Sequence, residues 1–320
     1  MKTKRIIAIL GLCLAAFGIS SCVPKPVQAV DYARQITSVT FIVPVTEMLT
    51  PTPEPTKIIT PVPTAHVLPP DPQPVTFKAA DGTELHGYYY PAAMNPAPLV
   101  VMMHWAGDDM SMWYEVAVWL QNRGLTNPFP PPDNSLKFGW WDSSWFPDIP
   151  ADKSYGVFLF TFRGCNSFTT GCIKFDSAGW LQDAQAALLA AREVEGVDPD
   201  NIVAIGSSIG ADGAVDGCLY LQNSSPGVCK GALSLSPDSY LNITFDQAVT
   251  ELGQADPPIP VWCLAAPFQF APCKRAEKSG NTAYASFEIP NGQHGTSMLR
   301  PGLTPLPMQL ILDFLDEVLE

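Results

Sequence analysis

The run Val203-Ala204-Ile205-Gly206-Ser207-Ser208-Ile209-Gly210-Ala211 restricts the fold more than any other stretch of the chain. Ile202 to Ile205 is short and apolar, as in a parallel strand buried on both faces, and Ala211 to Leu221 contains no proline and can be helical. Between them stands Gly206-x-Ser208-x-Gly210. A strand that turns sharply into a helix lifts one hydroxyl clear of the backbone, and it needs glycine on both sides because side chains there would strike neighbouring backbone. The helix that follows aims its free N–H groups, and the positive end of its dipole, at any oxyanion formed beside Ser208. Alone, the pentapeptide also fits a plain tight turn. The strand before it and the helix after it favour a nucleophile.

Around this element, strands alternate with helices. Val75 to Ala79 and Leu85 to Tyr90 flank Asp81-Gly82 and read as an opening hairpin. Strands are expected at Pro98 to His104, Gly156 to Phe162, Ile202 to Ser207, Gly231 to Ser236, Pro260 to Ala265 and Ala283 to Ile289. Helices are expected at Met112 to Arg123, Gly179 to Glu195 and Pro307 to Leu319. The expected fold class is therefore α/β, a mostly parallel sheet covered on both faces with an antiparallel hairpin at its start. One segment, about 125–155, breaks the pattern: Pro128 and Pro130 to Pro132 precede Phe138, Trp140, Trp141, Trp145 and Phe146. So long a loop is either a lid or binding element, or a second small core over the sheet edge.

The N-terminus carries Lys2, Lys4 and Arg5, an apolar run from Ile6 to Ile19, and Ser20-Ser21-Cys22, the pattern of a secretory leader over residues 1–21. Its end resembles the lipobox of bacterial lipoproteins, which implies cleavage before Cys22, a lipid on that sulfur and a place on the outer side of a membrane. The alternatives are an ordinary signal peptide or an uncleaved anchor. Residues 22–74 are rich in proline and threonine and read as an extended tether, leaving 75–320 as the folded domain. The leader has no acid, so its loss takes the formal net charge of −13 three units lower, to −16. Such a surface argues against nucleic acid and against docking on anionic lipid by charge, so membrane attachment would rest on Cys22. Cys165, Cys172, Cys218, Cys229, Cys263 and Cys273 remain, an even set in an exported chain. Of the possible connectivities, the local pairs 165 with 172, 218 with 229 and 263 with 273 are expected. Neither the cysteines nor the four scattered histidines has metal-site spacing, and no cofactor is called for.

Two further stretches accompany the elbow. Met102-Met103-His104-Trp105-Ala106-Gly107-Asp108 follows an early strand, and Asn291-Gly292-Gln293-His294-Gly295-Thr296 lies between the last strand and the last helix. With Gly206-x-Ser208-x-Gly210, these resemble the α/β-hydrolase family across nearly all of residues 75 to 320, the nearest subgroup being dienelactone-hydrolase-like and prolyl-oligopeptidase-like serine hydrolases. The resemblance implies Ser208 as nucleophile, His294 as its base, and the backbone N–H groups of Trp105 and Ile209 as oxyanion donors. Trp105 stands where a small residue is often found, and its side chain would form a wall of the acyl pocket. His104 reads as a turn-stabilising residue. The family's acid usually follows the strand Pro260 to Ala265, yet no carboxylate stands there, and the aligned place falls near Phe268 or Gln269. Asp238, just past the preceding strand, is the expected substitute, with Asp246 and Glu277 behind it.

The expectation is a lipid-anchored serine hydrolase outside the cytoplasm, acting on a small-molecule carboxylic ester, or less readily an amide, through an acyl-enzyme. The competing reading is a hydrolase-shaped binding lipoprotein of the cell envelope without turnover, which the missing acid supports. Fold alone does not choose among esters, lactones, acetylated glycans and peptides.

Overall fold

The computed structural model describes residues 66–129, 143–166 and 171–319. The leader, Cys22, nearly all of the tether and residues 130–142 of the insertion lie outside the described residues. The last residues assigned to the tether are tied to the domain: Arg123 donates to the Leu68 carbonyl at 2.7 Å and Gln121 to that of Pro70 at 2.6 Å.

Strands β1 (Gln73–Lys78) and β2 (Glu84–Tyr90) pair antiparallel around Asp81-Gly82, where Gly82 takes φ 87° to close the turn. β3 (Ala97–Met103), β4 (Gly156–Phe160), β7 (Val197–Ser207), β8 (Cys229–Leu235), β9 (Val261–Ala265) and β10 (Tyr284–Glu288) complete an eight-stranded sheet in the order β1-β2-β4-β3-β7-β8-β9-β10. All pairings beyond β2–β4 are parallel. A separate two-residue hairpin, β5 (Cys165–Asn166) with β6 (Gly171–Cys172), stands off the sheet. With that hairpin set aside, the order is that of the α/β-hydrolase fold, as expected from the sequence.

Alternation along β7 explains why its apolar run is unbroken. Ile202 and Ala204 face one core with α2 (Ser177–Arg192), α3 (Ile209–Ser224), α4 (Phe245–Leu252) and α5 (Ala271–Ala276), through Trp180, Val215, Val249 and Ala276. Val203 and Ile205 face the other, with α1 (Tyr114–Gln121) and α6 (Pro307–Leu319), through Val116, Leu120, Ile311 and Phe314. Every side chain of Ile202 to Ile205 is fully buried, each large one adding about 1.5–3 kcal/mol.

Two expected helices shift. The one expected from Met112 starts as a 3-10 turn, Met110–Trp113, capped by the Asp109 carboxylate on the Ser111 N–H. α2 starts at Ser177 because Asp176 caps it by accepting from the Gly179 N–H at 3.1 Å. The described flanks of the insertion pack on the α1 side of the sheet: Phe129 lies 4.6 Å from the ring of Tyr88 and 4.7 Å from that of Tyr114, and Phe146 lies 5.4 Å from that of Trp119.

The three expected disulfides are formed: Cys165–Cys172, Cys218–Cys229 and Cys263–Cys273. Such bonds persist in oxidising compartments, which suits a place outside the cytoplasm. No helix among the described residues is long and apolar enough to cross a membrane.

Candidate active site

The sheet reverses its winding between β3 and β7, since β3 connects to β4 on one side and β7 lies on the other. A crevice outside the C-terminal strand ends at such a point is where α/β sheets take ligands. Trp105 leaves β3 there and Ser208 leaves β7.

Ser208 occupies the strand-to-helix turn with φ 56° and ψ −116°, a conformation non-glycine residues rarely hold. Its N–H is fixed to the Leu235 carbonyl at 2.9 Å, and its own carbonyl accepts from Ala211 at 2.9 Å. A serine at this position ordinarily caps its helix; the Ser208 hydroxyl does not. The flanking glycines are a matter of close approach. A Cβ on Gly206 would run into the Gly210 carbonyl, and one on Gly210 into the Met103 carbonyl.

His294 stands at the start of a 3-10 turn, Gly295–Met298, that is fastened to the same strand ends. Gly295 donates to Ser236 Oγ, and Thr296 donates to Oγ of Ser207, the residue before Ser208, both at 3.0 Å. The structure thus brings the His294 loop and the elbow together. The imidazole lies over the Trp105 indole, ring centroids 5.5 Å apart and planes 27° from parallel. Burial lowers its pKa by disfavouring the charged ring.

Nδ1 of His294 meets Oε1 of Gln269 at 2.9 Å. A carbonyl oxygen only accepts, so Nδ1 carries the proton and Nε2 keeps its lone pair. Gln269 sits in a 3-10 turn, Pro267–Gln269, directly after β9 and inside the loop closed by Cys263–Cys273. Asp238, the acid expected from the sequence, is not this partner. It is about half exposed and pairs with Arg275 at 3.8 Å, while its backbone N–H is drawn to Asp212. Asp246 also faces Arg275, at 3.7 Å, and Glu277 pairs with Lys274 and Ser286. The physical reason is the loop after β8: its backbone turns inward to Asp212, which leaves the Asp238 side chain facing the surface.

On the β3 side, fully buried His104 donates from Nδ1 to the Trp105 carbonyl at 2.6 Å and accepts at Nε2 from the Phe162 N–H at 2.9 Å. With both ring nitrogens engaged and its pKa lowered to about 4 by burial, it is a neutral brace for the turn. The Trp105 carbonyl also accepts from Asp108 N–H at 3.4 Å. The small hairpin buttresses this turn through Cys172 N–H to the Ala106 carbonyl at 2.7 Å. Ile209 is the first residue of α3, where a backbone N–H has no intrahelical acceptor.

Sequence reasoning missed two residues. Asp212 is fully buried in the first turn of α3, and Tyr240, whose backbone N–H donates to it at 2.5 Å, follows β8. The available signal was an acid four residues after Ser208 in a helix start otherwise made of small and apolar residues.

No family model matches the chain. The uncharacterized protein YfhR of Escherichia coli (strain K12) is 28% identical over 154 residues, 46% of this chain and 43% of that protein. Its counterpart in Salmonella typhi is 25% identical over 162 residues, 48% and 44% of the two chains, so the match spans under half the length of these curated relatives. Among solved structures, a dienelactone hydrolase-like promiscuous phosphotriesterase from metagenomic libraries aligns at TM-score 0.49 and 14% identity over 77% of this chain and 98% of its own. An esterase of Pyrobaculum calidifontis aligns at 0.47 and 14% over 72% and 80%. The strand order and the elbow at its switch point give this chain the α/β-hydrolase fold.

Proposed function

We propose that the chain is a serine hydrolase that cleaves a carboxylic ester of a small molecule through an acyl-enzyme, outside the cytoplasm, anchored by lipid on Cys22. The observation that supports this reading is the fastening of the loop that carries His294 to Ser207 and Ser236, at the strand ends next to the elbow, together with a Ser208 hydroxyl that does not cap its helix. Ser208 Oγ attacks the carbonyl carbon as its proton passes to His294 Nε2, and the carbonyl pair moves onto oxygen. The N–H groups of Ile209 and Trp105 receive that charge. The pair returns as the leaving oxygen departs with the proton from Nε2. Water then repeats the attack, giving its proton to Nε2, and Oγ leaves the acyl carbon and recovers it. Gln269 holds the ring in its tautomer in place of an acid.

Labelling by a fluorophosphonate probe tests the assignment. Ser208→Ala is expected to abolish it, and labelling that survives this change, or none in the parent chain, removes the reading. The binding-protein reading draws on the neutral amide at the acid position; a parent chain that does not label while still folding cooperatively supports it. Replacement of Cys22 by Ser is expected to move the protein from the membrane to the soluble fraction. A distribution left unchanged removes the anchor.

A further inference from the structure

The reaction above puts a positive charge on His294, and burial disfavours the charged ring. The ring and its turn are met by Gln269 from the turn after β9, by Ser207 and Ser236 from the ends of β7 and β8, and by Trp105 from the end of β3, all of them uncharged. In place of a carboxylate the imidazole meets a π face. Its centroid lies 5.5 Å from that of the Trp105 indole, with the planes 27° from parallel. A cation within about 6 Å of an aromatic centroid is attracted by the negative charge of the ring face, and tryptophan attracts it most strongly. The indole is kept here for its face and not for its N–H. Nε1 is buried with no hydrogen-bond partner among the described residues, a cost that phenylalanine or leucine would avoid. The indole is also held in place before the charge appears. Gly107 lies against its six-membered ring, where a Cβ would stand 3.2 Å from Cε2 and 3.4 Å from Cζ2, and the Trp105 carbonyl is braced by His104 Nδ1 at 2.6 Å.

We propose that the face of the Trp105 indole stabilises the His294 imidazolium, the task that the carboxylate performs in a Ser-His-Asp triad. The proposal rests on the hydrolase reading. The charge arises twice: when the Ser208 proton passes to Nε2 as Oγ bonds to the carbonyl carbon, and when a water proton does so as the water oxygen bonds to the acyl carbon. It disappears each time Nε2 returns the proton to the departing oxygen. Trp105 exchanges neither proton nor electron. Its face attracts the charged ring more than the neutral one, so the contact strengthens as the reaction climbs its barrier and acts on kcat.

The test uses the full chain with p-nitrophenyl acetate and a fluorophosphonate probe. Mono-, di- and trifluorotryptophan, placed at position 105 alone through a reassigned codon, keep the shape of the indole while draining charge from its face. Across the series kcat is expected to fall stepwise, about 3- to 10-fold in all, with KM little changed. The acid limb of kcat/KM is expected to move to lower pH in the same order, because a weaker face supports the charged ring less. In Gln269→Glu, where a carboxylate meets the ring, the same series is expected to lower kcat less. An indole that merely walls the acyl pocket would move KM and leave the pH limb where it is. If the parent chain labels at Ser208 and kcat and the acid limb do not follow the fluorine count, the assignment falls and the hydrolase reading stands. If the parent chain does not label at Ser208, both fall. Should the fluorinated chains not be obtained, Trp105→Phe, which keeps a weaker face, is expected to retain more of kcat than Trp105→Leu, and equal rates in the two overturn the assignment.

Discussion

His294 Nδ1 lies 2.9 Å from Oε1 of Gln269, so the imidazole of this site is oriented by an amide. An amide oxygen fixes the ring and its tautomer as a carboxylate does, but brings no charge to balance an imidazolium. Gln269→Glu puts that charge in place with nearly the same reach. It is expected to raise kcat/KM about 10-fold, while Gln269→Ala, which leaves the ring unheld, lowers it by a similar factor or more. Steady-state rates with one activated ester decide this; Gln269→Glu no faster than the parent counts against an orienting role.

The pH dependence follows from the same contact. Burial holds the His294 pKa below its ordinary value of 6.5. The base works only when neutral, so kcat/KM is expected to stay level down to pH 6.5 and fall as the pH drops through that lower folded value. A carboxylate at position 269 stabilises the charged ring, so the acid limb of Gln269→Glu is expected at higher pH than that of the parent. Profiles of the two proteins that overlay, or a parent limb above 6.5, contradict the geometry.

The Cys263–Cys273 bond closes the segment that carries Gln269, whereas Cys218–Cys229 joins α3 to β8 at the far end from the elbow. Both close loops of similar length, with sequence separations of 10 and 11. By chain entropy each stabilises the fold by about 2–3 kcal/mol. Replacing either pair by serines is therefore expected to lower the urea midpoint to a similar degree. Only loss of the 263–273 pair is expected to lower kcat beyond that, because it frees the turn that presents Gln269. Equal kcat in the two variants would mean that the turn holds its shape without the bond.

The fold was legible in the sequence because its strands are buried on both faces and carry continuous apolar runs, as at Ile202–Ile205. The elbow was legible because Gly206 and Gly210 are demanded by backbone contacts that no side chain can share. Trp105 and His294 stood out through the motifs that resemble the family, and the structure puts the imidazole over the indole. The partner of His294 was not. A carboxylate was sought, and a glutamine gives no signal of its own, although its place after β9 was already marked. Asp238 attracted attention by its position after β8, but a loop's sequence does not say which way it turns, and here Asp212 takes the backbone and leaves the side chain outside. Helices α4 and α5 were missed because they join strands through short, proline-bounded segments that read as loop.

Asp216, on α3, has both carboxyl oxygens buried without a hydrogen-bond partner among the described residues. Burial first, then the charges of Asp212 and Glu251, holds its pKa well above the ordinary 3.8. In the unfolded chain this group loses its proton near pH 4, whereas in the folded chain it keeps it. The stability it lends is thus present in full below the unfolded value and is lost as the pH rises toward the folded one, with a slope of up to about 1.4 kcal/mol per pH unit. Asp212, raised to about 7, adds a slope of the same sign that ends near that pH. Asp216→Asn is nearly the same shape and does not titrate. Between pH 4 and 7 its unfolding free energy from urea titrations is expected to decline less steeply than that of the parent, so the variant gains on the parent as pH rises. Parallel curves would mean that the Asp216 carboxyl is solvated or paired in solution.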